Sequence, residues 1–314
     1  MSALGVVEPA AFDKLPDEVL VNKANRQDLR FAIIGFLVLV AAMAALLSLV
    51  IDFMIDGLPR IDADFLLSYP SRRPAEAGIL SAWVGTSLVM LTTAALAVPI
   101  GAAAGIYLEE YAPKNWITDV IEINVTNLAG VPSIIYGLLA LGLFVYGLGL
   151  GQTVLVAGLT LGLLILPIII VATREALRSI PLEMREAAYG LGADKWQVVS
   201  MYLLPAARPG ILTGAIVGMS RAIGETAPII TIGALSFIAF LPPSPIGTEF
   251  PFVNFSWLNS PFTVMPIQMF NWISRPQAGF HIAAAATGVI LLAMTLLMNG
   301  LAIYIRYKIR RGMR

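Results

Sequence analysis

Residues 153–173, TVLVAGLTLGLLILPIIIVAT, run for 21 positions without a charged side chain. A helix of that length rises about 30 Å, which matches the hydrocarbon core of a bilayer. At that depth the backbone has to satisfy its own hydrogen bonds, and a helix does so within one segment. Directly after the run come Arg174 and Glu175, which open a charged loop reaching to Gly210. Directly before it, the short turn from Gly147 to Gln152 joins it to a second apolar run, 128–149, and predicts a helical hairpin. Four further runs, 31–51, 80–104, 211–240 and 281–303, complete a set of six spans. The expected fold class is all-α, a polytopic membrane protein with six transmembrane helices. The fifth run is 30 residues long and contains Pro228, so a kink or break is expected there.

Composition agrees. Of 314 residues, 58% are hydrophobic and 13% charged, where a soluble domain carries about a quarter charged. Net charge is zero, so there is no basic field for nucleic acid. The chain has no cysteine and one histidine, His281, which excludes disulfides, thiolate metal sites and multi-histidine centres. The polar stretch 1–30 followed by 21 apolar residues from Phe31 to Ile51 reads as a cytoplasmic tail and a retained first helix; the run is longer than a signal-peptide core. With the N-terminus inside, the inner segments carry 15 Lys and Arg and the outer segments four, so both termini are expected in the cytoplasm, including a basic tail at 304–314. The outer stretches are 52–79, acidic and proline-bearing, and 241–280, rich in proline and aromatics. The latter suits a lid or docking surface, or a plain surface loop with an aromatic belt. Trp83, Trp257 and Trp272 read as belt residues and His281 as a polar anchor. No internal repeat and no separate soluble domain is visible.

The loop REALRSIPLEMREAAYGLGADKWQVVSMYLLPAARPG, 174–210, holds two short helices around a glycine turn. Pro181 with Glu183 suits a helix start, Gly190 and Gly192 its end, and Asp194 caps a second helix that is expected to stop before Pro205. On physical grounds alone this is an amphipathic connector or a docking element. In the fifth run, SRAIGETAP sets Arg221 and Glu225 four residues apart, on one helix face and within pairing distance. Charges at mid-bilayer cost roughly 2.5–3.5 kcal/mol each on insertion scales, so they face a neighbour or a water-filled route. The pair is either structural or functional. A guanidinium fork matches the oxygens of a tetrahedral oxyanion, and a competing carboxylate keeps such binding weak enough for release. Gly210, Gly214, Gly218 and Ala222 form a small-residue stripe beside the pair, along which another helix can approach.

Glu186, Ala187 and Ala188, then Gly192, then Leu204 and Pro205 resemble the EAA motif of binding-protein-dependent ABC importer permeases. Every spacing matches, and Tyr202 stands where isoleucine is usual. SRAIGETAP resembles the signature of phosphate importer permeases of the PstA type. AGVPSIIYG (Ala129 to Gly137), GIYLEEYA (Gly105 to Ala112), and Met265 to Gln268 with Phe270 to Trp272 fit the same family. The likeness runs from about Ser81 to the C-terminus. It implies a type I importer permease domain over 80–303 whose 174–210 loop forms a coupling helix seated on a separate ATPase. It also implies a second permease chain (PstC type), two ATPase copies (PstB type) and a periplasmic phosphate-binding protein (PstS type). In such a complex Arg221 and Glu225 would line the substrate path, and Glu186, Ala187, Ala188, Gly192, Leu204 and Pro205 would serve ATPase coupling.

No glycine loop ending in Gly-Lys-Ser or Gly-Lys-Thr occurs, so no cofactor is expected on this chain, ATP and Mg belonging to the ATPase, and no enzyme activity of its own. Three rivals stand beside this reading. One is a permease for sulfate, molybdate or phosphonate. Another is a secondary transporter in which Glu225 relays protons, and the third is a non-transporting assembly protein.

Overall fold

The structure is a computed structural model that describes residues 18–235, 237–246, 252 and 254–311, the side chains of 18–27, 309 and 310 excepted. The tail 1–17, the outer-loop residues 247–251 and 253, and the last three residues of the basic tail lie outside the described part. The regular structure of the described residues is helical, and it includes no strand. They fall into two units, one ending at Phe53 and one starting at Met54.

The first unit is most of helix α1 (Glu18–Gly57), whose apolar side chains from Phe31 to Ile51 are largely exposed within the chain. An all-round apolar helix of this length suits a lipid neighbour.

The second unit is built on α2 (Leu80–Ile106), α3 (Trp116–Leu128), α4 (Ser133–Ala140), α5 (Val154–Arg178), α6 (Leu182–Gly190), α7 (Leu204–Ile223), α8 (Ala227–Thr231), α9 (Met265–Ile273) and α10 (Ala278–Arg311). Helix α5, which contains the charge-free run 153–173 from Val154 on, is the hub, packing on α2 along one side and on α7 along another. Its approach to α7 uses the small-residue stripe. A methyl on Gly218 would meet Ile165 Cβ at 3.3 Å, and methyls on Gly210 and Gly214 would collide with Ala176 and Ala172. The helix that approaches the stripe is thus the chain's own α5.

Among the described residues, four helices are long and apolar enough to cross a membrane: Asp28–Arg60, Leu80–Tyr111, Val154–Arg178 and Ala278–Lys308. The pair Trp116–Leu128 and Ser133–Gly147, bent by 107°, makes a fifth candidate. These contain five of the six expected runs, with two changes. The run 128–149 becomes helical only from Ser133, because Gly130 and Pro132 interrupt it, and the preceding connector 105–127 holds α3. Tyr136 secures the bend by donating its hydroxyl to the Leu128 carbonyl at 2.6 Å, which satisfies an end group of α3. The run 211–240 is not one helix. Helix α7 stops at Ile223 and α8 restarts at Ala227 with Pro228 in its first turn, the one helical position where a missing N–H costs nothing.

The aromatic outer loop folds inward. Trp272 is fully buried between Phe65, at 6.1 Å between ring centroids, and Phe280, at 6.4 Å. Trp257 is buried in the main core, and Trp83 is half-buried, donating its indole N–H to Leu66 O at 3.0 Å. Trp257 and Trp272 are therefore core residues, not belt residues, packed inward with Phe262, Met265 and Ile267 of the same stretch. His281 stays exposed with a ring nitrogen 2.8 Å from Arg275 O, as a polar anchor.

Candidate functional site

Two groups of sequence-predicted residues sit at opposite ends of one helical rod. At one end, Pro181 starts α6 with φ −55° and ψ 142°, and Glu183 occupies its first turn. Gly192 turns the chain at φ +84°, a conformation that costs an L-residue about 1–2 kcal/mol. Asp194 and Gln197 then form a reciprocal cap: Asp194 Oδ1 accepts from Gln197 N at 2.8 Å and Gln197 Oε1 from Asp194 N at 2.9 Å. The helix so started does not stop before Pro205. It passes through a π-helical turn, Val198–Leu203, straight into α7. Leu204 N–H reaches back five residues to Val199 O, and this wider turn makes room for the Pro205 ring, which in a regular turn clashes with the carbonyl four residues back.

The loop divides its residues sharply. Leu177, Ile180, Ala188, Val198, Val199 and Leu203 make a small apolar core with Ala207 and Ile211. Ala188, grouped with Ala187 by the motif, is therefore an inward residue, 3% exposed, while Glu186 and Ala187 face out. Gly192 is exposed, and Leu204 and Pro205 are half-buried where the rod begins. Around Glu186 the outer face is apolar, with Leu191 85% and Trp196 69% exposed beside Leu182, Met184, Tyr189 and Met201. A polar-rimmed apolar face of this kind marks an interaction surface.

Beneath the loop lies a charge network that sequence reading missed. Arg185 Nη1 stands 2.6 Å from Glu110 Oε1, and Arg185 Nη2 donates to Leu177 O at 2.9 Å. Arg178 Nε lies 2.8 Å from Glu109 Oε2. Arg174, 5% exposed, pairs with Glu122 at 2.5 Å and Glu109 at 3.5 Å. These contacts tie α6, the C-terminal end of α5, the π turn Tyr107–Tyr111 that ends α2, and α3. The signal was present in GIYLEEYA and in the arginines of the loop, but the partners are 52 to 75 positions apart, and no periodicity links them.

At the other end of the rod, Arg221 Nε stands 3.3 Å from Glu225 Oε1. The pair expected from spacing is formed, yet Glu225 lies just beyond α7, held by its N–H on Ala222 O at 3.2 Å. Arg221 keeps 36% of its side chain exposed and Glu225 19%, so the ion pair is open on one side. Gly224 at the break is exposed and its carbonyl is met by the Thr226 hydroxyl at only 3.5 Å, which leaves backbone polarity beside the charges. A recess of about 490 Å³ lined by Gly224, Thr226, Ala227, Met269 and Phe270 adjoins the break. From Pro205 to Arg221 the helix advances about 24 Å at 1.5 Å per residue. Chemically, the outer face of α6 can seat a partner, and the open guanidinium can hold an oxyanion.

Residues 97–311 match the family described as binding-protein-dependent transport system inner membrane component. The chain is 31% identical over 276 residues to the phosphate transport system permease protein PstA of Mycobacterium leprae, covering 87% of this chain and 86% of that one. It is 32% identical over 239 residues to PstA 1 of Mycobacterium tuberculosis, covering 76% and 72% respectively. Among solved structures, an inward-facing form of the MetNI methionine ABC transporter superposes with a TM-score of 0.55 at 18% identity, covering 74% of this chain and 95% of that one; it bears on the fold alone. This polytopic membrane protein belongs to the binding-protein-dependent transport inner membrane components, and among them to the PstA permease family.

Proposed function

We propose that this chain is one permease subunit of an ATP-driven importer of inorganic phosphate in a prokaryotic inner membrane, with both termini in the cytoplasm. It forms half of the translocation path and is driven by a separate ATPase. One observation carries the reading: a single uninterrupted helical rod, Lys195 to Ile223, joins an exposed docking loop to an open arginine–glutamate pair. Movement imposed on the loop is delivered to the pair, because a hydrogen-bonded helix resists stretching and bending.

In this reading Glu186 and Ala187 meet the ATPase, with Leu182, Tyr189, Leu191 and Trp196 as the apolar contact area. Ala188, Gly192, Leu204 and Pro205 shape the loop and its junction with α7. ATP and Mg stay on the ATPase, of which two copies serve this chain and a second permease chain of PstC type. A PstS-type binding protein delivers phosphate from outside. Arg221 binds the anion when the path is open, and Glu225 takes the guanidinium back as phosphate leaves. The names of the relatives, phosphate transport permeases over most of both chains, support phosphate as the cargo.

The test is purification in mild detergent followed by hydrolysis measured with the binding protein added. Co-elution of an ATPase and a second permease, with hydrolysis raised by phosphate and not by sulfate, is the expected result. Stimulation by sulfate or molybdate would move the chain to another oxyanion. Uptake without any ATPase would make it a secondary transporter.

A further inference from the structure

The coupling loop rests on the rest of the chain in two ways, and only one of them fixes its angle. Its apolar core, Leu177, Ile180, Ala188, Val198, Val199 and Leu203, is held by contacts that have no preferred direction. Such a floor resists lifting and permits sliding. Arg185 is different. Its planar fork places one nitrogen 2.6 Å from Glu110 and another 2.9 Å from the Leu177 carbonyl. Glu110 keeps 8% of its side chain exposed and Arg185 19%, so solvent screens the pair weakly. Leu177 lies in the last turn of α5, where its carbonyl also accepts the Ile180 N–H at 3.3 Å and the dipole favours a cation. One guanidinium thus joins α6 to the ends of α2 and α5. The neighbouring residue, Glu186, is exposed and makes no ion pair within the described residues. The two adjacent residues point to different partners.

We propose that Arg185, with Glu110, is the positioning strut that locks the coupling helix to α2 and α5, so that force on the loop moves these membrane helices together with α7. The proposal rests on the coupling reading above and adds a second load path to the rod. Without the strut the loop still docks an ATPase through Glu186 and the apolar face, but it swivels on its floor and the stroke is lost.

Since the chain has no cysteine, spin labels at K114C and E183C report the seating of α6 in the purified permease alone. R185A is expected to broaden the distance distribution, and R185K, whose ammonium can still meet both Glu110 and the Leu177 carbonyl, to leave it narrower. In the full complex R185A is expected to retain its ATPase on purification and lose roughly tenfold of the phosphate-stimulated hydrolysis, as removal of a charge-assisted hydrogen bond implies. R185K is expected to recover most of it. An unchanged label distribution in R185A, loss of the ATPase from that variant, or full stimulation despite a broadened distribution would each overturn the strut. A wild-type complex that phosphate fails to stimulate would instead remove the functional reading, while the label distances still decide the seating.

Discussion

A methyl group on Gly137 would stand 2.7 Å from Pro228 Cα and collide with the Thr231 hydroxyl. Helix α8, the short piece after the charged pair, therefore crosses α4 at a point where only hydrogen fits. The crossing seats the broken half of the fifth run, and with it the position of Glu225 at the break.

Gly137→Ala should destabilise this crossing by about 1–3 kcal/mol, the usual cost of forcing a methyl into a packed contact. Gly142→Ala, where nothing lies within 4 Å, is the control. Thermal unfolding in detergent should show a lower midpoint for the first and little change for the second. Equal midpoints would remove the close crossing.

Arg221→Gln should reduce phosphate uptake at least about a hundredfold while the complex still assembles, because a neutral amide cannot supply the fork or the charge. Glu225→Gln should act in the other sense on binding: phosphate held more tightly, and transport slowed at release. Uptake by radiolabelled phosphate and equilibrium binding to the purified complex separate the two. Normal uptake in both variants would leave the pair a structural one.

Glu186→Lys should leave membrane insertion intact and weaken ATPase attachment, since Glu186 is on the exposed face of α6 and has no role in the loop's own core. Co-purification under graded salt reads the change. A variant absent from the membrane fraction would contradict the outward assignment.

Asp194→Ala removes one half of the reciprocal cap and should cost about 1 kcal/mol locally. Amide exchange of residues 195–200 is expected to quicken roughly fivefold, with α5 and α10 unaffected. Uniform exchange change across the chain would mean that the rod has no independently fraying start.

Much of the fold could be read from local pattern. Long charge-free runs, the proline in the fifth, the Asp194 cap and the i,i+4 spacing of Arg221 and Glu225 are all short-range signals, and each found its place. What failed depended on backbone geometry and packing that leave no period in the sequence. Pro205 seemed a helix stop because proline rules assume a regular turn, and the π turn at Val198–Leu203 supplies a wider one. Trp257 and Trp272 looked like interfacial anchors because hydropathy does not report which face the chain turns inward. Ala188 seemed equivalent to Ala187 until the packing of Leu203 and Val199 gave the loop an inside.

By itself, then, the order of residues determined that the solvent of this chain is lipid, that its elements are helices, and which charges had to be paired or useful. Tertiary structure alone decided that Glu110 meets Arg185 across 75 positions, that α5 and not a foreign helix fills the glycine stripe, and that one rod joins the loop to the pair. The division has a physical reason. Burial of apolar surface and backbone hydrogen bonding act over a few residues and leave a period in the sequence. Ion pairs and close crossings depend on where distant segments meet, and that is set only when the whole bundle packs.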